Sequence, residues 1–187
     1  GTQTYNDAVT LTGATTLASS GNQAITLNNT VNGAQSLAVN TTGTTTFSGL
    51  VGNTTALTSL ITNAGGTTAI NGGAITTTGA QTYNDAVTLG ANTTLNAGAG
   101  AIKFGSNLNG AFSLAANSTG ATTFVGAVGG TTALTSLITN AGGTTAINGG
   151  AITTTGAQTY NDAVTLGANT TLTGTTPTFG STVTGGG

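Results

Sequence analysis

The chain has 187 residues, only one Lys or Arg against three Asp, no His and no Cys, and a formal net charge of −2. Phosphate binding depends on Lys and Arg displacing counterions, so this charge excludes nucleic acid as a partner. The lack of Cys excludes a disulfide framework and a thiolate zinc site, and apolar runs of two or three residues fall far short of the roughly 20 that span a bilayer.

From the N terminus onward the pattern is one of short apolar-alternating segments punctuated by Gly and Asn. Thr occurs 48 times; its β-branched side chain suits pleated backbone, while Gly, Asn and Asp supply the turns. Over residues 1–78, a first repeat unit of about four coils, Val9, Leu11, Leu17, Ile25, Leu27, Leu37, Val39, Phe47, Leu57, Leu60, Ile70 and Ile75 are expected to point inward. The intervening Thr and Asn are expected to point outward. Over 79–155, a second unit of about four coils, the segments divide into coils at Thr82–Gly100, Ala101–Gly120, Ala121–Gly142 and Gly143–Gln158. Residues 156–187 form a partial third unit. Helix is disfavoured throughout, because no window keeps apolar residues at i, i+3, i+4 and i+7 free of an intervening Gly or β-branched run.

The repeat decides the fold class. The motif QTYNDAVTL places its Tyr at positions 5, 83 and 160, and residues 54–95 recur without change at 131–172. Units of 77 or 78 residues built from such segments predict an all-β parallel β-helix, a β-solenoid of about 19–20 residues per coil and about 9–10 coils. Its coils would stack about 4.8 Å apart through main-chain hydrogen bonds. The chain opens inside a repeat at Gly1, which predicts an excised or processed segment of a longer array.

At TYNDAVTLGANTTL, GGTTAINGGAITTTGAQ and the Gly- and Asn-punctuated coils, the sequence resembles the filamentous-haemagglutinin-like, β-strand-repeat exoproteins of Gram-negative bacteria. The resemblance covers the whole chain and rests on repeat texture. It implies a right-handed parallel β-helix, export through the outer membrane, and a role in adhesion, aggregation or biofilm matrix at the bacterial cell surface.

Little in the chain could carry chemistry. Asp7, Asp85 and Asp162 follow Asn in the three YND triplets; at one per long repeat they are too far apart to share a calcium ion, and corner turns are their expected role. The triplets Thr2-Gln3-Thr4, Thr44-Thr45-Thr46, Thr76-Thr77-Thr78 and Thr153-Thr154-Thr155 resemble the Thr ranks of ice-binding solenoids but do not recur at every turn. Tyr5, Tyr83 and Tyr160 are too widely spaced for a carbohydrate-stacking row and fit a corner or core edge. Lys103 is expected in solvent between inward-facing Ile102 and Phe104. The Asn-x-Ser/Thr triplets at Asn28, Asn40, Asn53, Asn92, Asn117 and Asn169 are what chance yields in so Thr-rich a chain. Without His, Cys, Glu or Arg, no acid/base pair, triad or metal cluster can be assembled. No catalytic, cofactor-binding or metal-binding residue is therefore assigned, no cofactor is expected, and the chain reads as no enzyme.

The expected function is that of a structural segment: an extracellular fibre, adhesin stalk or biofilm-matrix filament whose main partner is itself, through head-to-tail stacking and lateral bundling. Host or cell surfaces are further candidate partners, and membrane insertion is not expected. Two alternatives stand beside it, a glycan- or surface-binding adhesin rod and an ice-binding solenoid.

Overall fold

The computed structural model describes residues 1–185 and contains 25 short strands and no helix among them. Each strand alternates inward and outward side chains with period two; β14 (Ile102–Phe104), for example, buries Ile102 and Phe104 and exposes Lys103. Every strand pairing is parallel, and each runs between a strand and the strand one coil further along the chain. The chain thus winds into a parallel β-solenoid of about nine turns of about 21 residues.

Three faces run the length of the rod. The first carries β1 (Gln3–Tyr5), β4 (Ile25–Leu27), β7 (Thr44–Phe47), β9 (Thr67–Ile70), β12 (Ala86–Leu89) and β15 (Leu108–Asn109). Single-residue bridges through Val128 carry it on to β20 (Ala151–Thr153) and β23 (Thr171–Thr173). The second begins with β2 (Val9–Thr10) and β5 (Val31–Asn32) and passes through a bridge at Val51. It continues through β10 (Ala74–Thr76), β13 (Thr93–Asn96), β16 (Ser113–Asn117), β18 (Ser136–Thr139), β21 (Gln158–Tyr160) and β24 (Pro177–Phe179). The third is one continuous nine-stranded sheet: β3 (Thr15–Ala18), β6 (Ser36–Asn40), β8 (Ser59–Thr62), β11 (Gln81–Tyr83), β14, β17 (Ala121–Phe124), β19 (Thr144–Ile147), β22 (Ala163–Leu166) and β25 (Val183–Gly185).

Coil length is set at the corners. Partners one coil apart are separated by as few as 19 residues, as at Thr145↔Val164, and by as many as 24, as at Val51↔Ile75. The longest coils carry the extra loops after Val51 and Val128, which is why the average exceeds the 19–20 read from the alternation. Where a corner is tight, Gly is demanded by geometry. Gly33 and Gly110 adopt φ of 128° and 133°, and a Cβ on either would run into the backbone of Leu11 or Leu89 one coil earlier.

The core is a single column. Ile25, Leu27, Leu37, Val39, Phe47, Leu57, Leu60, Ile70 and Ile75 are buried, as expected, while Val9 and Leu17 of the first coil are partly buried against the column. Aromatic rings stack from coil to coil: Tyr83 on Phe104 and Phe104 on Phe124 at 5.4 Å, and Tyr160 on Phe179 at 5.3 Å. One expectation is corrected. Thr is not confined to the outside, since Thr45, Thr68, Thr122 and Thr145 sit fully inside. They occupy the inward rank that runs Ile25↔Thr45↔Thr68↔Val87 on the first face and Ile102↔Thr122↔Thr145↔Val164 on the third. Thr has nearly the shape of Val, so the column accepts it at Thr68 and Thr145, whose hydroxyls are partnered, and also at Thr45 and Thr122, whose hydroxyls are not.

The long repeat is not a whole number of coils. The QTY strands β1, β11 and β21 lie eleven strand positions apart, counting Val51 and Val128 as positions, and fall on the first, third and second face respectively. Eleven positions on three faces are three coils and two thirds of a fourth, close to the expected figure of about four but not a whole number. Each repeat is therefore laid down one face round from the last, and the identical residues 54–95 and 131–172 adopt the same strands on different faces.

Candidate functional site

The polar groups of the repeat converge on two kinds of structure, an internal rung and a corner. In the rung, Gln81 lies fully inside the column beside Tyr83. The phenol donates to Gln81 Oε1 at 2.9 Å, and the Gln81 amide donates to Asn96 O at 2.9 Å, Ile75 O at 3.1 Å and Thr77 Oγ1 at 3.2 Å. Gln158 and Tyr160 repeat the arrangement on another face, with the phenol bond again 2.9 Å. Burial pushes both phenols well above the ordinary tyrosine range, so they remain neutral donors. Tyr83 and Tyr160 are thus core residues, and Tyr5, in the first coil, is half-buried and donates to Gln3 Oε1 in the same way. The signal for the buried glutamine was present in the spacing Gln-x-Tyr, which puts both side chains on one side of a strand.

At the corner, the aspartates reach back to the coil beneath. Asp85 is 2 % exposed; its Oδ1 accepts the Gly66 N–H at 2.8 Å and its Oδ2 accepts the Thr68 hydroxyl at 3.3 Å. Asp162 accepts Gly143 N–H at 2.8 Å and Thr145 Oγ1 at 3.5 Å. Desolvation by burial raises the Asp85 pKa above its ordinary value, against the lowering effect of the Gly66 and Thr68 hydrogen bonds. Asp7 belongs to the first coil and is exposed. The carboxylates cap Gly-Gly turns of the preceding coil rather than only their own corner, and among the described residues no three of His, Cys, Asp or Glu come together.

Asn side chains join successive corners. Asn28 donates to Asn6 Oδ1 at 2.8 Å and Asn117 to Asn96 Oδ1 at 2.9 Å, while Asn140 Oδ1 accepts Ser118 N–H at 2.7 Å. Asn96, Asn117, Ser118 and Asn140, with Gly98 and Thr119, line a shallow open groove. Its carboxamides are largely engaged with each other and with backbone, which makes them a seam between coils.

The outer ranks are not uniform: on the first face Thr4, Thr26 and Thr46 follow one another before Ala69 interrupts the run. Along the third face the outward positions read Thr16, Ala38, Ile61, Thr82, Lys103 and Thr123. The Thr triplets do not line up from coil to coil: those at 2–4 and 44–46 lie on the first face with β4 between them, that at 76–78 begins on β10 of the second face, and that at 153–155 begins on β20, far along the first. Of the Asn-x-Ser/Thr positions, Asn28, Asn40, Asn53, Asn92 and Asn169 are exposed and Asn117 is half-buried.

Scans of family models, of curated proteins and of solved structures found no match to this chain. What fold and site together define is a β-solenoid repeat protein with a polar skeleton devoted to coil stacking.

Proposed function

We propose that the chain is a load-carrying segment of a secreted, repetitive β-solenoid, a fibre or adhesin stalk or biofilm-matrix filament of the bacterial cell surface, and that it has no enzymatic activity. The observation that carries this reading is the reuse of the 42 identical residues 54–95 and 131–172 in the same strands on different faces. A scaffold whose units stack without regard to face is built for length, because each added unit meets the same neighbours. A binding or catalytic site needs local irregularity, whereas the polar side chains here are spent on capping corners and bridging coils. Extracellular location and the adhesive role come from the resemblance of the repeat texture to filamentous-haemagglutinin-like exoproteins.

Taken as a free subunit, the segment is expected to stack head to tail, because a β-solenoid cut at any coil exposes unpaired strand edges. Purified by itself, the segment presents β23, β24 and β25 as an end coil whose core positions Phe179 and Val183 are 38 % and 44 % exposed, whereas in a longer array the adjoining coil of the same chain would cover them. Open parallel edges over apolar side chains recruit another strand layer. Electron microscopy of the purified segment tests the reading: head-to-tail filaments are the expected result, and dispersed rods of nine coils at all concentrations would overturn self-assembly. The glycan-binding alternative is tested on an array with one and with several units, where a passive stalk binds in neither form. Ice binding predicts thermal hysteresis, and the broken Thr ranks argue that none is measured.

A further inference from the structure

We propose that two copies of this chain exchange coils out of step by one 77-residue unit, giving a linked pair of rods of unequal length. The inference rests on the stacking geometry and stands apart from secretion or adhesion. Residues 54–95 and 131–172 are identical, and the coils on which they sit offer the same contacts. Beneath the first block, Ser36 and Leu37 pair with Ser59 and Leu60, and Asn32 Oδ1 accepts the N–H groups of Thr54 and Thr55. Beneath the second, Ser113 and Leu114 pair with Ser136 and Leu137, and Asn109 Oδ1 accepts the N–H groups of Thr131 and Thr132. The corner bonds match as well, Gly33 N–H to Thr55 O at 3.1 Å and Gly110 N–H to Thr132 O at 3.2 Å. The coil ending near Val51 therefore accepts residues 131–172 as readily as 54–95.

The crossing points are suited to exchange. Asn53, Thr54 and Thr55 are exposed, as are Gly130, Thr131 and Thr132, so the chain can leave the rod there without uncovering the column. Hinges of this kind are where repeat proteins swap elements. If residues 1–53 of one copy carry residues from 131 onward of the other, the remainders match too: residues 1–130 of the second copy carry residues from 54 onward of the first. Every strand pairing of the two separate chains is kept, and only the bonds that Asn32, Gly33, Asn109 and Gly110 make to the crossing residues are disturbed. The 27 strand positions of each chain, nine on each of three faces, are redistributed as 16 and 38. At about 4.8 Å per coil the rods would measure about 26 Å and 61 Å, against about 43 Å for the unexchanged molecule. Within one chain the next segment is tethered at high effective concentration, so exchange requires unfolding and refolding at high protein concentration.

The test uses two full-length variants, Ser36→Cys and Ser136→Cys. In the single rod Ser36 faces Ser59 and Ser136 faces Ser113; only the out-of-step exchange brings Ser36 of one copy against Ser136 of another. The two variants are unfolded together, refolded at high concentration and treated with a short bis-maleimide. A covalent dimer of one chain of each type is expected, well above the level in the same mixture never unfolded. A double variant Ser36→Cys/Ser59→Cys reports within one chain that the reagent spans neighbouring coils. If that control links and the refolded mixture, with its β-sheet signal regained, gives no mixed dimer, the proposal is overturned.

Discussion

At the scale of single residues, most polar groups inside the column have a partner built in, and the two that do not are informative. Thr45 Oγ1 and Thr122 Oγ1 are buried without any hydrogen-bond partner, while the equivalent Thr68 and Thr145 bond to Thr62, Thr139 and the aspartates. A buried unpaired hydroxyl costs about 1–3 kcal/mol, so Thr122→Val, which keeps the shape, is expected to stabilise the protein by about 1 kcal/mol. Thr145→Val, which breaks a network, is expected to destabilise it, and denaturant midpoints of the two variants check the difference. Asp85 makes a second case. Its carboxyl is raised above the ordinary pKa by burial, so the folded state holds this proton more tightly than the unfolded chain. Its contribution to stability is therefore greatest below the ordinary carboxylate range near pH 4 and is lost as pH rises through the raised value. Thermal midpoints measured from pH 7 down to pH 4 should rise more for the wild type than for Asp85→Asn. That variant keeps an oxygen for the Gly66 N–H and should be at least as stable at pH 7, whereas Asp85→Ala, which orphans the N–H, should lose about 1–2 kcal/mol.

At the scale of strands and corners, stability is set by how closely one coil lies on the next. Gly110 sits at φ 133° against Leu89, so Gly110→Ala combines backbone strain with a clash and is expected to cost about 2 kcal/mol or more. Gly130, whose nearest neighbour to an added Cβ is the Ala127 Cβ at 3.6 Å, should accept Ala within about 0.5 kcal/mol. Thermal unfolding of the pair separates a glycine the corner demands from one it merely contains. This is also the scale at which the sequence is most legible. Alternation at Ile25, Leu27, Leu37 and Val39 marks strands and their buried side without ambiguity, and Lys103 between Ile102 and Phe104 reports the outward side. The coil length was underread because the loops after Val51 and Val128 lengthen a turn without altering the alternation on either side. An inward Thr is hard to read because Thr occurs at both parities of the strands and has the outline of Val; Asp85 and Asp162, seventeen residues after Thr68 and Thr145, supply polar partners that distinguish those two. The Gln81–Tyr83 rung escaped notice because glutamine belongs in a core only when backbone carbonyls from two coils are aimed at its amide.

At the scale of the whole molecule, the mismatch between a repeat of eleven strand positions and a cross-section of three faces carries the main consequence. A solenoid with specialised faces would duplicate in whole coils, to keep each face's residues in line. This one turns by one face with every unit, which disperses exposed residues such as Ile61 and Ile138 onto different faces. Stacking must then depend on which segment lies beneath which, and not on the face where they meet. The deletion of residues 54–130 isolates this claim. It joins Asn53 to Thr131, reproduces the local sequence of the wild type up to residue 172, and leaves every coil on a neighbour it already meets, although everything beyond the junction is turned by one face. The 110-residue product is expected to retain the β-sheet spectrum and a cooperative thermal transition. Deleting residues 54–116, three coils' worth of chain at about 21 residues each, keeps the faces roughly aligned but joins unrelated segments across the junction. That variant should unfold at a lower temperature or aggregate. Should the order of stability be reversed, the faces would be distinct after all, and the growth of the array by 77-residue steps would need another physical cause.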